Sequence, residues 1–150
     1  MTAGKFPMFV VFDLDGTLAL TDHRAHFLER ESGEKDWRGF YAACDKDAPC
    51  WPIITAARAF MAVGHHVEIW SGRSREVSEK TRQWLCDNGL AALNIRMRNE
   101  GDHTPDTALK LQWLNESSRK PDLIFEDRAS VVAMWREQGI VCCQVAAGDF

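Results

Sequence analysis

The sequence predicts a three-layer α/β domain: a parallel sheet of about five strands with helices on both faces. Three observations carry this expectation. The first is the apolar run Phe9-Val10-Val11-Phe12, which stops abruptly at Asp13-Leu14-Asp15-Gly16-Thr17-Leu18. Four consecutive Val and Phe residues suit a strand buried on both faces, the habit of parallel sheets. The second is a repeat of that pattern late in the chain, where Leu123-Ile124-Phe125 ends on Glu126-Asp127-Arg128. The third is the alternation of short strands with helical stretches in between, which favours strand–helix–strand units.

Length and composition fit one domain over residues 1–150. The 150 residues suffice for one core and are too few for two ordinary ones. A formal net charge of -4 gives no global pull toward nucleic acid or an anionic membrane, so phosphate recognition must be local. The five cysteines (Cys44, Cys50, Cys86, Cys142, Cys143) are odd in number and lack zinc-type spacing. They are expected to be reduced, mostly buried thiols of a cytoplasmic protein. The first apolar run ends at Asp13, so neither a signal peptide nor a membrane span is expected.

In chain order, Met1 to Pro7 reads as a loose lead. Residues 20–50 are polar, turn-rich and studded with His23, His26, Phe27, Trp37, Phe40 and Tyr41; they read as a partly helical insertion over the cleft. These rings are expected to pack a lid, with a base-stacking platform as the less favoured use. Pro52 can open a helix whose inner stripe is Ile53, Ala57, Phe60 and Met61, stopping at Gly64. His66 to Trp70 alternates as a second strand, and the neighbouring His65 and His66 point to opposite sides, against a shared metal. Ser71-Gly72-Arg73-Ser74-Arg75 is expected to open the next helix, with Val77, Thr81, Trp84, Leu85 and Asn88 inward and Gly89 as the stop. Asn94 to Arg98 is a third strand that sets Arg96 and Arg98 on one face, either a polar sheet edge or a substrate contact. A loop from Glu100 feeds a helix with Asp106 in its first turn and Lys110 one turn later. Leu123 to Phe125 is the fourth strand. A helix from Ala129 buries Val131, Val132 and Trp135 and stops at Gly139, and Ile140 to Val145 is the last strand.

The chemistry gathers where these strands end, because ligands of open parallel sheets sit beyond the carboxyl edge. A carboxylate can attack phosphorus and divide a hard hydrolysis into two easier steps. A second carboxyl nearby can protonate the leaving oxygen and later activate water. Two such acids repel, and a magnesium ion, which takes one or two carboxylates plus phosphate oxygens, relieves that repulsion. The strand–Ser-Gly junction aims a hydroxyl and backbone N–H groups at an anion, and Arg73 can grip a phosphate with two parallel hydrogen bonds.

These residues resemble the motifs of the haloacid dehalogenase-like (HAD) phosphohydrolases. The resemblance makes Asp13 the nucleophile and Asp15 the acid/base, with the Asp15 backbone carbonyl on magnesium. It makes Ser71 a phosphoryl-binding hydroxyl, Lys110 the cation that neutralises the phosphorylated nucleophile, and Asp127 a direct metal ligand. The family often has two aspartates at its fourth motif, whereas this chain has Glu126 then Asp127. Glu126 is therefore expected either to reach the metal through water or to shift it. The family also implies strand order 3-2-1-4-5.

The tail is more specific. Asp127-Arg128, Val131-Val132, Met134-Trp135-Arg136, Gly139, Val141-Cys142, Gln144-Val145-Ala146 and Gly148-Asp149-Phe150 are similar to the C-terminal end of phage polynucleotide kinase-phosphatases. That resemblance covers nearly all of the chain except Thr21 to Cys50. It implies that Arg24, Arg73 and Asp106 are needed to remove 3′-phosphates. A phosphate-binding G-x-x-x-x-G-K-[ST] loop is absent from the sequence, so a phosphatase module without kinase activity is expected. The expected activity is magnesium-dependent hydrolysis of 3′-phosphates on nucleic-acid ends or nucleotides. A phosphatase for free nucleotide 5′-monophosphates is the alternative, and a non-catalytic end-binding module is the rival from another class. Exposed tryptophans leave a homo-oligomer open.

Overall fold

The computed structural model describes residues 6–29, 31 and 33–148. The start of the lead, Ser32 and the Asp149-Phe150 end of the tail resemblance lie outside the described residues. The central strand β1 (Phe9–Phe12) is buried along its whole length. On one side it pairs in parallel with β2 (His66–Ser74), Phe9 opposite His66. On the other it pairs with β4 (Leu123–Glu126), Val10 opposite Leu123. Strand β3 (Asn94–Arg98) flanks β2, and β5 (Val141–Gln144) flanks β4. The order is thus 3-2-1-4-5, all parallel.

Side chains alternate across a strand, so β1 serves two cores at once. Phe9 and Val11 face Leu109, Trp113 and Leu114 of α4 (Asp106–Glu116) and Val131, Val132 and Trp135 of α5 (Ala129–Glu137). Val10 and Phe12 face Ile54 and Ala57 of α2 (Trp51–Ala62) and Trp84 and Leu85 of α3 (Ser78–Asp87). Those two packed faces make the three layers. In α2 the deepest side chains are Ile54 and Ala57, while Ile53, Phe60 and Met61 are only partly buried. The expected stripe is therefore right in period but is centred closer to Ile54.

Two features depart from expectation. Ser71-Gly72-Arg73 does not open a helix; β2 runs on through Ser74, with a register shift against β3 between Ser71 and Ser74. A single 3-10 turn (Arg75–Val77) intervenes, capped by the Ser74 hydroxyl accepting from the Glu76 N–H, and α3 begins only at Ser78. The physical reason is tertiary: Arg73 is drawn inward to bonds with Asp15 and Thr81, which holds its backbone extended. Second, the thiols are all free, but only Cys44 and Cys142 are buried, whereas Cys86 and Cys143 are exposed.

The described residues between 20 and 50 form a small subassembly beside the sheet's carboxyl edge. A two-stranded antiparallel pair, Ala19–Leu20 with Ala48–Pro49, ties its base. Between them lie a 3-10 helix (Asp22–Phe27), α1 (Trp37–Ala42) and a second 3-10 turn (Cys44–Lys46). Asp36 caps α1 by accepting from the Gly39 N–H at 2.9 Å. Among the described residues no helix is long and apolar enough to cross a membrane.

Candidate active site

Asp13 sits one residue past β1 and still donates its N–H to the Phe125 carbonyl at 2.9 Å, so the sheet itself fixes its height. The chain then turns at Gly16, whose φ is +81°. A Cβ there would meet Asp127 Oδ2 at 2.0 Å. The glycine therefore permits both the turn and the close approach of β4's acidic end. Thr17, fully buried, donates its hydroxyl to Asp13 Oδ2 at 3.3 Å.

Asp13, Glu126 and Asp127 are brought together with ligand oxygens all within 4.8 Å of one another. Lys110, on the inner face of α4, lies among them, 2.8 Å from Asp13 Oδ1 and 2.7 Å from Glu126 Oε2. All four are buried. Three carboxylates against one ammonium leave an excess of negative charge where water cannot screen it. Burial and the neighbouring Glu126 charge push Asp13 well above the usual carboxylate range. Burial and the Glu126 carboxylate push Asp127 up to about 7. Burial would also raise Glu126, but Lys110 more than reverses that and holds it ionised. Lys110 in turn is kept charged against its own burial by Asp13 and Glu126. Glu126 is thus committed twice, through Oε2 to Lys110 and through Oε1 to the Asp127 N–H at 3.2 Å.

A second cluster adjoins the first. Asp15 Oδ1 accepts from Arg24 at 2.6 Å and from Arg73 at 2.5 Å. Both guanidiniums are essentially inaccessible. Both also reach Asp47, Arg24 at 2.7 and 2.6 Å and Arg73 at 3.1 Å. His23 meets Asp47 Oδ1 at 2.8 Å, and Trp84 donates its ring N–H to the Asp47 carbonyl at 2.8 Å. Burial would raise Asp15, but Arg73 and Arg24 outweigh it and hold the carboxyl below its ordinary range. The Asp15 side chain is accordingly not part of the three-acid group. Arg73 makes its bonds inward, to Asp15, Asp47 and, at 3.0 Å, the Thr81 hydroxyl.

A third cluster joins the Ser-Gly-Arg stretch to α4. Ser71 is fully buried, its hydroxyl accepting from the Arg73 N–H at 3.1 Å. Arg98 donates to the Gly72 carbonyl at 2.8 Å, to the Thr104 carbonyl at 2.5 Å and to the Asp106 carboxylate. Arg128 donates to the other Asp106 oxygen at 3.1 Å. Arg96, its partner in the strand pattern, instead lies over the Trp70 and Trp113 rings and pairs with Glu116 at 3.6 Å. The two arginines read as equivalent thus split, one lining the site and one packing the sheet edge.

Thr17 and Asp47 are the participants that sequence reasoning missed. Thr17 was visible as part of the first motif. Nothing in the Asp45-Lys46-Asp47 spacing marks Asp47 out.

Residues 7–150 match the family described as the polynucleotide kinase PNKP phosphatase domain, HAD_PNKP. The chain belongs to that family. A protein of Autographa californica nuclear polyhedrosis virus described as a bifunctional polynucleotide kinase/RNA ligase is 32% identical over 139 residues. That match covers 89% of this chain and 18% of the viral protein. A chain of the Pnkp1/Rnl/Hen1 RNA repair complex superimposes with a TM-score of 0.81 at 28% identity, over 96% of this chain and 44% of that one. The family domain thus spans under half the length of either relative. The haloacid dehalogenase-like hydrolase SP0104 of Streptococcus pneumoniae shares the fold at TM-score 0.59 and 15% identity, over 91% of this chain and 83% of that one. In this member of the family, Asp13, Lys110, Glu126 and Asp127 form one cluster beyond the sheet's carboxyl edge, and Asp15, Arg24 and Arg73 form a second.

Proposed function

We propose that this domain is a magnesium-dependent phosphomonoesterase that removes 3′-phosphates from nucleic-acid ends through an aspartyl-phosphate on Asp13. The observation that carries the reading is Asp13 held between the Lys110 ammonium and the Asp127 carboxylate at the end of β1, in a chain of this family.

The donor set suits magnesium. Asp13, Glu126 and Asp127 offer hard oxygen atoms within one ion's reach, and burial together with the Glu126 charge pushes Asp13 and Asp127 up, a strain that a cation would relieve. Asp13 and Asp127 would hold the ion, with the Asp15 backbone carbonyl beside them; Glu126, spent on Lys110, would act through water. When bound, magnesium supplies charge neutralisation for the transferring phosphoryl group.

The chain's own residues do the rest. Asp13 Oδ attacks phosphorus in line while Thr17 and Lys110 fix its rotamer. Asp15, ionised before substrate binds, takes up the proton that the phosphate monoester monoanion brings; the ester P–O bond then breaks, and the leaving oxygen takes that proton from Asp15. Water, deprotonated by Asp15, then cleaves the acyl-phosphate at phosphorus and frees Asp13. Ser71 has its hydroxyl proton available for a phosphoryl oxygen. The two arginines that hold Asp15 ionised are the counter-charges that turn toward phosphate as Asp15 takes its proton. Such positioning and electrostatic work is most of phosphoryl-transfer catalysis.

Phosphate release from a 3′-phosphorylated oligonucleotide, compared with 3′- and 5′-mononucleotides with and without magnesium, tests the reading. The oligonucleotide should be the preferred substrate and release should stop on chelation. Preference for 5′-mononucleotides would replace the substrate assignment, and no release from any phosphate ester would leave only an end-binding module.

A further inference from the structure

Two rings of α1 lead into the site by separate routes, and both rest on one exposed indole. Phe40 is buried with the Arg24 guanidinium 4.1 Å over its face, and Arg24 bonds Asp15. Tyr41 donates its hydroxyl to the Gly72 carbonyl at 3.3 Å, between Ser71 and Arg73. Trp37 meets Phe40 edge-on, with centroids 5.9 Å apart, and stacks along Tyr41 at 6.0 Å and 30°. Spacings of three and four residues put all three rings on one face of the helix. Yet Trp37 keeps 43% of its surface exposed. Trp70, Trp84, Trp113 and Trp135 are covered, and Trp51 is exposed at 53%; Trp37 is the exposed indole that touches the two rings leading into the site.

The surroundings favour a π-face over an electrostatic field. The Lys35 ammonium lies over the Trp37 ring, 5.6 Å from its centroid, so a base stacking there takes that cation's place, and the charges of Glu34, Lys35, Asp36 and Arg38 cancel. Single-stranded nucleic acids are held on such rings in a sequence-tolerant way, because every base has a π-face. We propose that Trp37 is the stacking platform for a base of the single-stranded end whose phosphate enters at Asp13. The proposal rests on the nucleic-acid reading above, and its occupant is a base of that strand.

The test measures kcat/KM for a 3′-phosphorylated oligonucleotide and for p-nitrophenyl phosphate, which has no base. The proteins are wild type, Trp37→Ala and Trp37→Phe. The ratio of the two activities should fall about tenfold in Trp37→Ala, mainly through KM, and Trp37→Phe should recover most of it. Stacking carries no counterion release, so the factor should be the same at low and high salt. An oligonucleotide with abasic residues at its 3′ end should show little further loss on Trp37→Ala. Equal losses on both substrates, or an unchanged ratio, would overturn the platform while leaving the proposed function standing. A wild-type protein that cleaves p-nitrophenyl phosphate but no nucleic-acid phosphate would overturn both.

Discussion

Asp45 and Asp47 stand two residues apart and have opposite environments. Asp45 is a surface acid with Lys46 and Lys80 at 3.7 Å. Asp47 has no exposed side-chain surface and bridges Arg24 and Arg73. Exposed pairs contribute little, whereas removing one partner of a buried charge network strands the others. Asp45→Asn should therefore stay within about 0.5 kcal/mol of wild type. Asp47→Asn should cost about 3 kcal/mol in denaturant unfolding, with activity lost in the fraction that still folds. Equal effects from the two would contradict the network. The difference is not legible in the sequence, because Asp47's partners come from residues 24 and 73. Asp13, Asp15 and Asp127 were legible because each sits at a fixed offset from the end of an apolar strand, whereas Lys110 was legible only through the family resemblance, since its spacing alone suits a solvated helix lysine. The choice of Glu at 126 was legible only as a departure; its bond to Lys110 needed coordinates.

At the scale of elements, close backbone approach positions the Ser-Gly-Arg stretch. A Cβ on Gly72 would lie 2.6 Å from Asp106 Oδ1. Asp106 cannot easily yield, since Arg98 and Arg128 hold its two oxygens. Gly72→Ala should thus displace Ser71 and Arg73 relative to Asp13. We expect kcat to fall by about 100-fold with the circular dichroism spectrum unchanged; wild-type turnover would show that the stretch tolerates the shift. Strand positions and order followed from apolar runs and the family pattern. The end of β2 did not, since a Ser-Gly-Arg sequence is locally compatible with a helix start; pairing of Ser71 and Ser74 with Met97 and Arg98 and the inward bonds of Arg73 keep it extended. The insertion was legible as partly helical, but its antiparallel base pair was not, because two-residue strands carry no periodicity.

At the scale of the whole molecule, the excess of buried acid makes stability depend on pH. Asp127 titrates at about 7 when folded against an ordinary value of 3.8. Between those values the folded, metal-free protein holds a proton that the unfolded chain has released. Its stability must therefore fall as pH rises through that window. Bound magnesium needs the carboxylate, so the gain in melting temperature on adding magnesium should be larger at pH 8 than at pH 5.5. A gain that shrinks with rising pH would contradict the assignment of Asp127 to the metal. The net charge of -4 requires phosphate recognition to be local, and in the proposed function Arg24, Arg73 and Lys110 would supply that local charge.

The most direct measurement is to quench the enzyme in acid during turnover of a 3′-phosphorylated oligonucleotide and map any phosphoryl group by mass spectrometry. An acid-stable, hydroxylamine-labile phosphoryl group on Asp13, absent from Asp13→Asn, is the expected result. Turnover with no acyl-phosphate, or with the group on another residue, would contradict it.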